Sequence, residues 1–329
     1  MASVIVGLAI LDLAYRGYLS YFRHTMSVVP RKVGQFDPDL GWSLKPNSQA
    51  VSHRFGEIEY KVNSKGLRDD EHEYRKPPGG KRIVIVGDSR TFGFGVPIKK
   101  HFTRLLEGYC ADTEVINLGV SGYGVDQELL VLQSEGMKYD PDLVIAYVAH
   151  YGNNRHMHTN RFGREKPKFE LTDTLELTNQ PVPPPPSFSP SAMLSRSYEN
   201  ISKMLSDDKQ PVDNRSDRQK DREDMKNPEF VEQMNRLGNA IVTEMKNTAN
   251  DAGAEFLLVS SVPPLTKYAR ENGFHVLDSR RALDNKMYRL PGHGHINEAG
   301  NGVLAWEITK TMREKRLIEC CSSSLCAVP

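Results

Sequence analysis

Apolar positions along the chain switch repeatedly between the period of a strand and that of a helix. Residues 82–86 (RIVIV) form a β-branched run ending at Gly87-Asp88-Ser89, as in a strand buried on both faces that opens into a turn. A helix over 101–110, a strand over 114–118 and a helix over 125–136, closed by glycine, follow in order. Asp140-Pro141-Asp142 introduces a third strand at 143–149. After a gap, Phe230, Met234, Leu237, Ile241 and Met245 recur at helical spacing and mark one apolar face. Residues 255–260 (EFLLVS) predict a fourth strand, 265–272 a helix and 274–277 a fifth strand. Leu304, Ile308 and Met312 fall in register on a closing helix over 299–312. Five strands alternating with helices predict an α/β domain with right-handed crossovers and helices on both faces of the sheet.

The flanks break this rhythm. Residues 33–80 form a small β-rich preface: 57–62 alternate as a short strand, and a Pro/Gly cluster at 76–81 connects them to the main domain, 81–316. Between 155 and 228 the periodicity lapses into an insertion. It contains a four-proline run at 183–186, a short helical stretch at 192–205 and a dense run of charge at 206–228, which reads as a solvent-exposed excursion. Residues 1–32 begin with an apolar segment at 2–15 that predicts an N-terminal helix, packed on the domain or left over from a membrane anchor. It is shorter than the roughly 20 apolar residues a span needs. Residues 317–329 are a Cys/Ser-rich tail.

Composition narrows the classes. Of 329 residues, 38% are hydrophobic and 26% charged, which excludes a wholly disordered or multi-span membrane chain. With 43 basic and 42 acidic side chains the net charge is +1, so nothing global calls for a nucleic-acid partner. Four cysteines are too few to staple such a chain, and Cys110 reads as a small buried hydrophobe.

Three glycine-rich blocks follow predicted strands or precede the last helix. Gly87-Asp88-Ser89-Arg90-Thr91-Phe92-Gly93 presents a serine at the carboxyl edge of the sheet, where open α/β folds bind ligands; the same serine would also suit a helix cap. Neither a phosphate loop nor a dinucleotide fingerprint is present. Asn117-Leu118-Gly119-Val120-Ser121-Gly122-Tyr123-Gly124 lets backbone approach closely, as a simple turn or as a donor to developing negative charge. Gly292-His293-Gly294-His295-Ile296-Asn297 offers a loop histidine able to act as a general base. His150, His156 and His158 lack a carboxylate or cysteine at familiar ligand spacing, so no metal is expected. Arg155 among them is open to an anionic or sugar substrate or to the surface.

In this order, and with the DPDLGW stretch at 37–42, the blocks resemble the SGNH or GDSL hydrolase family over residues 37–312. The resemblance implies a three-layer α/β/α sandwich on a flavodoxin-like parallel five-stranded sheet. It also implies hydrolysis or transfer of an acyl ester, on a small molecule or as an O-acetyl group on a glycan, with no cofactor. Ser89 takes the nucleophile's place, His295 that of the catalytic histidine, and the N–H groups of Ser89 and Gly122 those of oxyanion donors. Ungapped, Tyr151 falls at the place of the family's third donor; a small shift in the loop after 143–149 brings Asn153 or Asn154 there, and Asn153 is the better match.

One element departs. The family carries an acid two or three positions before the histidine, where this chain has His293 and Gly292. Loss of that acid can cost about 10⁴ in turnover. Asp278 or Asp284 could replace it, His293 or a backbone carbonyl could orient a Ser–His dyad, or the fold could persist as a catalytically impaired binding or cell-envelope accessory protein. The N-terminal segment leaves localisation open, with a membrane-associated or extracytoplasmic place favoured.

Overall fold

The computed structural model describes residues 31–318 except 111, 150–153 and 186–216. The expectations for 1–30, 192–205, His150, Asn153 and most of the tail lie outside the described residues. Five strands, β1 (Lys81–Gly87), β2 (Thr113–Asn117), β3 (Leu143–Val148), β4 (Glu255–Ser260) and β5 (His275–Asp278), pair in parallel in the order β2-β1-β3-β4-β5. This is the flavodoxin-like order, and its direction of winding reverses between β1 and β3.

The strands are continuous apolar runs because both faces are covered. Val84, Val86, Val144, Ala146 and Leu258 point to one side, with Leu129 and Leu132 of α2 (Val125–Ser134) and Leu237, Ile241 and Met245 of α3 (Pro228–Asp251). Leu265 and Ala269 of α4 (Pro263–Glu271) complete that layer. The alternate residues Ile83, Ile85, Ile145, Leu257 and Val259 face Phe102 and Leu106 of α1 (Phe102–Tyr109) and Leu304, Ile308 and Met312 of α5 (Glu298–Glu314). Burying each large aliphatic side chain contributes about 1.5–3 kcal/mol, so this alternation fixes the register. The result is a three-layer α/β/α sandwich. Cys110 is buried as expected and is also disulfide-bonded.

The preface forms two antiparallel hairpins, Gly34–Asp37 with Gly41–Leu44 and Gln49–Ser52 with Ile58–Lys61. Its apolar side chains Trp42, Leu44 and Tyr60 join the core of the sandwich. Arg68, at its end, is 1% exposed and lies over the Tyr60 ring, 4.2 Å away. The insertion differs from a uniform exposed excursion. Its charged stretch includes a helix, Asp217–Asp224, whose Asp221 is buried against Arg161 in a two-pronged ion pair at 2.7 Å on each arm. Lys166, also buried, is bonded to Asp126 of α2. Among the described residues no helix is long and apolar enough to cross a membrane.

Candidate active site

Ser89 stands at the carboxyl end of β1, beside the point where the winding of the sheet reverses. Asp88 caps the one-turn helix Ser89–Phe92 by accepting from the Arg90 N–H at 2.9 Å, and Gly93 ends it in the left-handed conformation with φ 81°. Tight packing makes two other glycines obligatory. A Cβ on Gly87 would stand 2.1 Å from Thr91 Oγ1, and one on Gly119 would stand 2.3 Å from the Phe92 nitrogen. Arg68 clamps the outgoing turn by donating to the carbonyls of Phe92, Gly93 and Val96. The sequence reading missed this role, which depends on a side chain reaching across from the preface.

The second block is fixed by its own side chains. Asn117 Oδ1 accepts from the Gly119 N–H, and the Trp42 indole donates to the Ser121 carbonyl at 3.2 Å. Gly122 has φ +91°. The N–H groups of Ser89 and Gly122 donate to no acceptor among the described residues, which leaves both available to an oxyanion. Asn153, the third donor expected, lies outside the described residues.

Arg155 ties the two blocks together. It donates to Asp88 Oδ2 at 3.1 Å and to the Tyr123 carbonyl at 2.7 Å. It is therefore an internal brace rather than the surface or substrate contact expected from sequence. His156 is buried and bonded to the Met234 carbonyl, and His158 approaches Asp224 at 3.4 Å. Among the described residues no group of three His, Cys, Asp or Glu side chains is placed to hold a metal ion.

The third block folds back on itself before α5. The Leu290 N–H donates to the His295 carbonyl, and Asn297 Oδ1 caps α5 through the Gly300 N–H while its amide donates to the carbonyls of Met287 and Arg289. This closure aims His295 at β1, with Nε2 2.5 Å from Ser89 Oγ. Its Nδ1 stands 2.7 Å from Nδ1 of His293. Neither aspartate considered as a replacement acid holds that position. Asp278 is gripped by Arg280 at 3.0 and 2.6 Å, and Asp284 lies in the cavity described below.

The contact between the two histidines couples their tautomers. For His295 Nε2 to accept the serine proton, the neutral ring must carry its hydrogen on Nδ1 and donate it to the His293 lone pair; His293 then holds its own hydrogen on Nε2. Phe94 packs on both imidazoles, at 4.8 Å from His295 and 5.4 Å from His293, and Phe55 packs on His293 at 5.6 Å. Burial in this corner, reinforced by the charge of Arg90, pushes the His295 pKa down to about 3; Asp88 opposes the shift only in part. The imidazole is consequently neutral at pH 7, and its Nδ1 faces His293 rather than a carboxylate.

A parallel sheet in flavodoxin-like order with a hydrogen-bonded Ser–His pair at its switch point defines the class of fold and site. No family model matches the chain, and no curated protein matches it. Several solved structures resemble it. TesA matches at 13% identity and a TM-score of 0.42, over 72% of this chain and 100% of that one. A member of the G-D-S-L lipolytic family from Veillonella parvula matches at 11% and 0.39, over 70% of this chain and 97% of that one. The psychrotrophic esterase EstA from Pseudoalteromonas sp. matches at 14% and 0.40, over 72% and 98%. What the chain shares with these structures is the fold.

Proposed function

We propose that the chain is a serine-dependent acyl-ester hydrolase or acyltransferase in which Ser89 is the nucleophile and His295 the general base. The observation that carries this reading is the 2.5 Å approach of His295 Nε2 to Ser89 Oγ, beside two N–H groups without acceptors. Ser89 Oγ attacks the ester carbonyl as its proton passes to Nε2, and the Ser89 and Gly122 N–H groups receive the negative charge on the tetrahedral oxygen. Collapse breaks the bond to the leaving oxygen, which takes the proton from His295 and departs as an alcohol. A water or a second hydroxyl, deprotonated by the same ring, then releases the acyl group from Ser89. His293 supports both halves by holding the productive tautomer.

A short acyl group suits the site. A Cβ on Gly122 would already meet Phe162 at 3.3 Å and Trp42 at 3.5 Å, so the oxyanion glycine sits in an aromatic corner. An O-acetyl group on a glycan meets that condition.

Labelling with a fluorophosphonate probe and turnover of a short-chain aryl ester test the assignment. Ser89→Ala should abolish both while leaving the circular dichroism spectrum and melting temperature in place; undiminished turnover in the variant would remove Ser89 from the mechanism. The absence of a carboxylate behind His295 favours a second reading, an accessory protein with impaired catalysis. Failure of the wild type to label at all would support that reading.

A further inference from the structure

Next to the Ser–His pair, along the carboxyl edge of β3, β4 and β5, lies a cavity of about 390 Å³. Its walls carry four arginines, Arg90, Arg280, Arg281 and Arg289, against a single carboxylate, Asp284. Arg280 is neutralised from behind by Asp278. Arg281 and Arg289 have no carboxylate within 4 Å among the described residues. Proximity of like charge and burial are costly together: burial, and after it the charge of Arg90, lower the pKa of Arg289. Such a cluster is stabilised when an anion enters. The cavity also offers hydroxyl donors. Tyr147 and Ser279 line it, both buried, with the Ser279 hydroxyl placed beside the Tyr147 phenol.

Two of these arginines connect the cavity to the proposed chemistry. Arg90 follows the nucleophile directly in the chain, and its Nη2 donates to the Gly294 carbonyl at 3.3 Å. Arg289 Nη1 donates to the same carbonyl at 2.9 Å. Gly294 precedes His295, so the cavity backs onto the loop that carries the general acid. In an ester cleavage the protonated histidine must reach the leaving oxygen, which places the alcohol portion of the substrate on this side.

We propose that this cavity binds an oxyanion, a carboxylate or phosphate, borne on the alcohol portion of the ester substrate. The proposal rests on the acyl-ester reading above for the substrate, and on the cavity alone for the anion. Its size admits a charged ring or short chain rather than the bare ion only.

The test compares 4-acetoxybenzoate with its methyl ester, two acetates that differ in one negative charge on the alcohol side. Wild-type protein should favour the carboxylate by about tenfold or more in kcat/KM, the scale of one charge-assisted hydrogen bond. Arg281→Gln should reduce that ratio severalfold, whereas Lys310→Gln, which removes the same charge from the exposed face of α5, should leave the ratio unchanged. Hydrolysis of both esters without preference, or a preference insensitive to Arg281→Gln, would overturn the proposal.

If neither ester is hydrolysed, the acyl-ester reading fails separately, and calorimetric titration with inorganic phosphate then decides the cavity. Saturable binding weakened by Arg281→Gln upholds the anion site, and no binding removes it. Phosphate binding together with hydrolysis that shows no carboxylate preference would assign the cavity to a free oxyanion and overturn the substrate form of the proposal.

Discussion

Replacing His293 by aspartate isolates what the loop lacks. Nδ1 of histidine and Oδ1 of aspartate are both two bonds from Cβ, so His293→Asp puts a carboxylate oxygen where the imidazole nitrogen stands, 2.7 Å from His295 Nδ1. The tautomer is preserved and a negative charge is added. In the native protein, protonating an imidazole whose pKa is pushed from 6.5 down to about 3 is roughly 4–5 kcal/mol harder than protonating an ordinary histidine. A carboxylate about 4 Å from the imidazolium charge, at an effective dielectric near 20, returns about 4 kcal/mol. Part of this is lost in desolvating the carboxylate against Phe55 and Phe94.

A net gain of about 2–3 kcal/mol should raise kcat/KM for a short-chain aryl ester by about 30- to 150-fold. The pH profile should change with it. In the wild type His295 is neutral above about pH 3, so activity should stay level as pH falls from 7 to 5 and be lost only near pH 3. In His293→Asp the acid limb should move up by about two pH units, because the same energy favours the protonated ring. His293→Asn keeps an acceptor without the charge and should resemble the wild type. If His293→Asp folds normally, yet neither rate nor acid limb moves, His293 is not the group that orients His295.

Three other outcomes are expected. Gly122→Ala forces a side chain onto φ +91° and against Phe162; it should lower the melting temperature by the equivalent of about 1 kcal/mol and kcat by about 10²-fold, and unaltered kcat would argue against an oxyanion role. Asp278→Asn loosens the contact to Arg280 and a longer one, at 3.8 Å, to Arg270; turnover should change less than about twofold, and a loss of orders of magnitude would reinstate it as the catalytic acid. His101 is fully buried and its pKa is pushed from 6.5 to about 3. Because the unfolded chain takes up this proton first as pH falls, stability should drop by about 2 kcal/mol between pH 7 and 5 from this residue; urea unfolding at the two values measures it, and equal stability would refute the shift.

The sheet was legible because its strands are short, unbroken apolar runs. RIVIV, LVIAYVA and EFLLVS cannot sit at a surface, and the helices between them carry one apolar face each. Residues 217–224 misled for the opposite reason. Their charge density is that of a solvated segment, but Asp221 is matched by Arg161, 60 positions earlier. A pair that distant leaves no local trace, and the same holds for Arg68, most of whose acceptors are carbonyls of a turn about 25 residues away. Arg155 was visible as a charged residue beside a strand end, but its placement between Asp88 and the Tyr123 carbonyl depends on two loops meeting in space.

The missing acid shows where motif reading and physical reading part. A family pattern records a carboxylate, which combines two functions: a lone pair that fixes the tautomer of the catalytic ring, and a charge that stabilises its protonated form. Asp278 and Asp284 are the displaced carboxylates that such a pattern points to, because charge is the property it records. The loop instead retains the lone pair alone, at the same distance in bonds from the backbone, on His293. Nothing in the order Gly292-His293-Gly294-His295 announces this, since the rings could equally have faced solvent. They are turned inward by the closure between Leu290 and His295 and by Phe55 and Phe94, one from the preface and the other from the turn after Ser89. Orientation without charge implies, on the proposed mechanism, a base held in the right geometry and poor at keeping its proton, so the site's weakness should lie in kcat rather than in substrate binding.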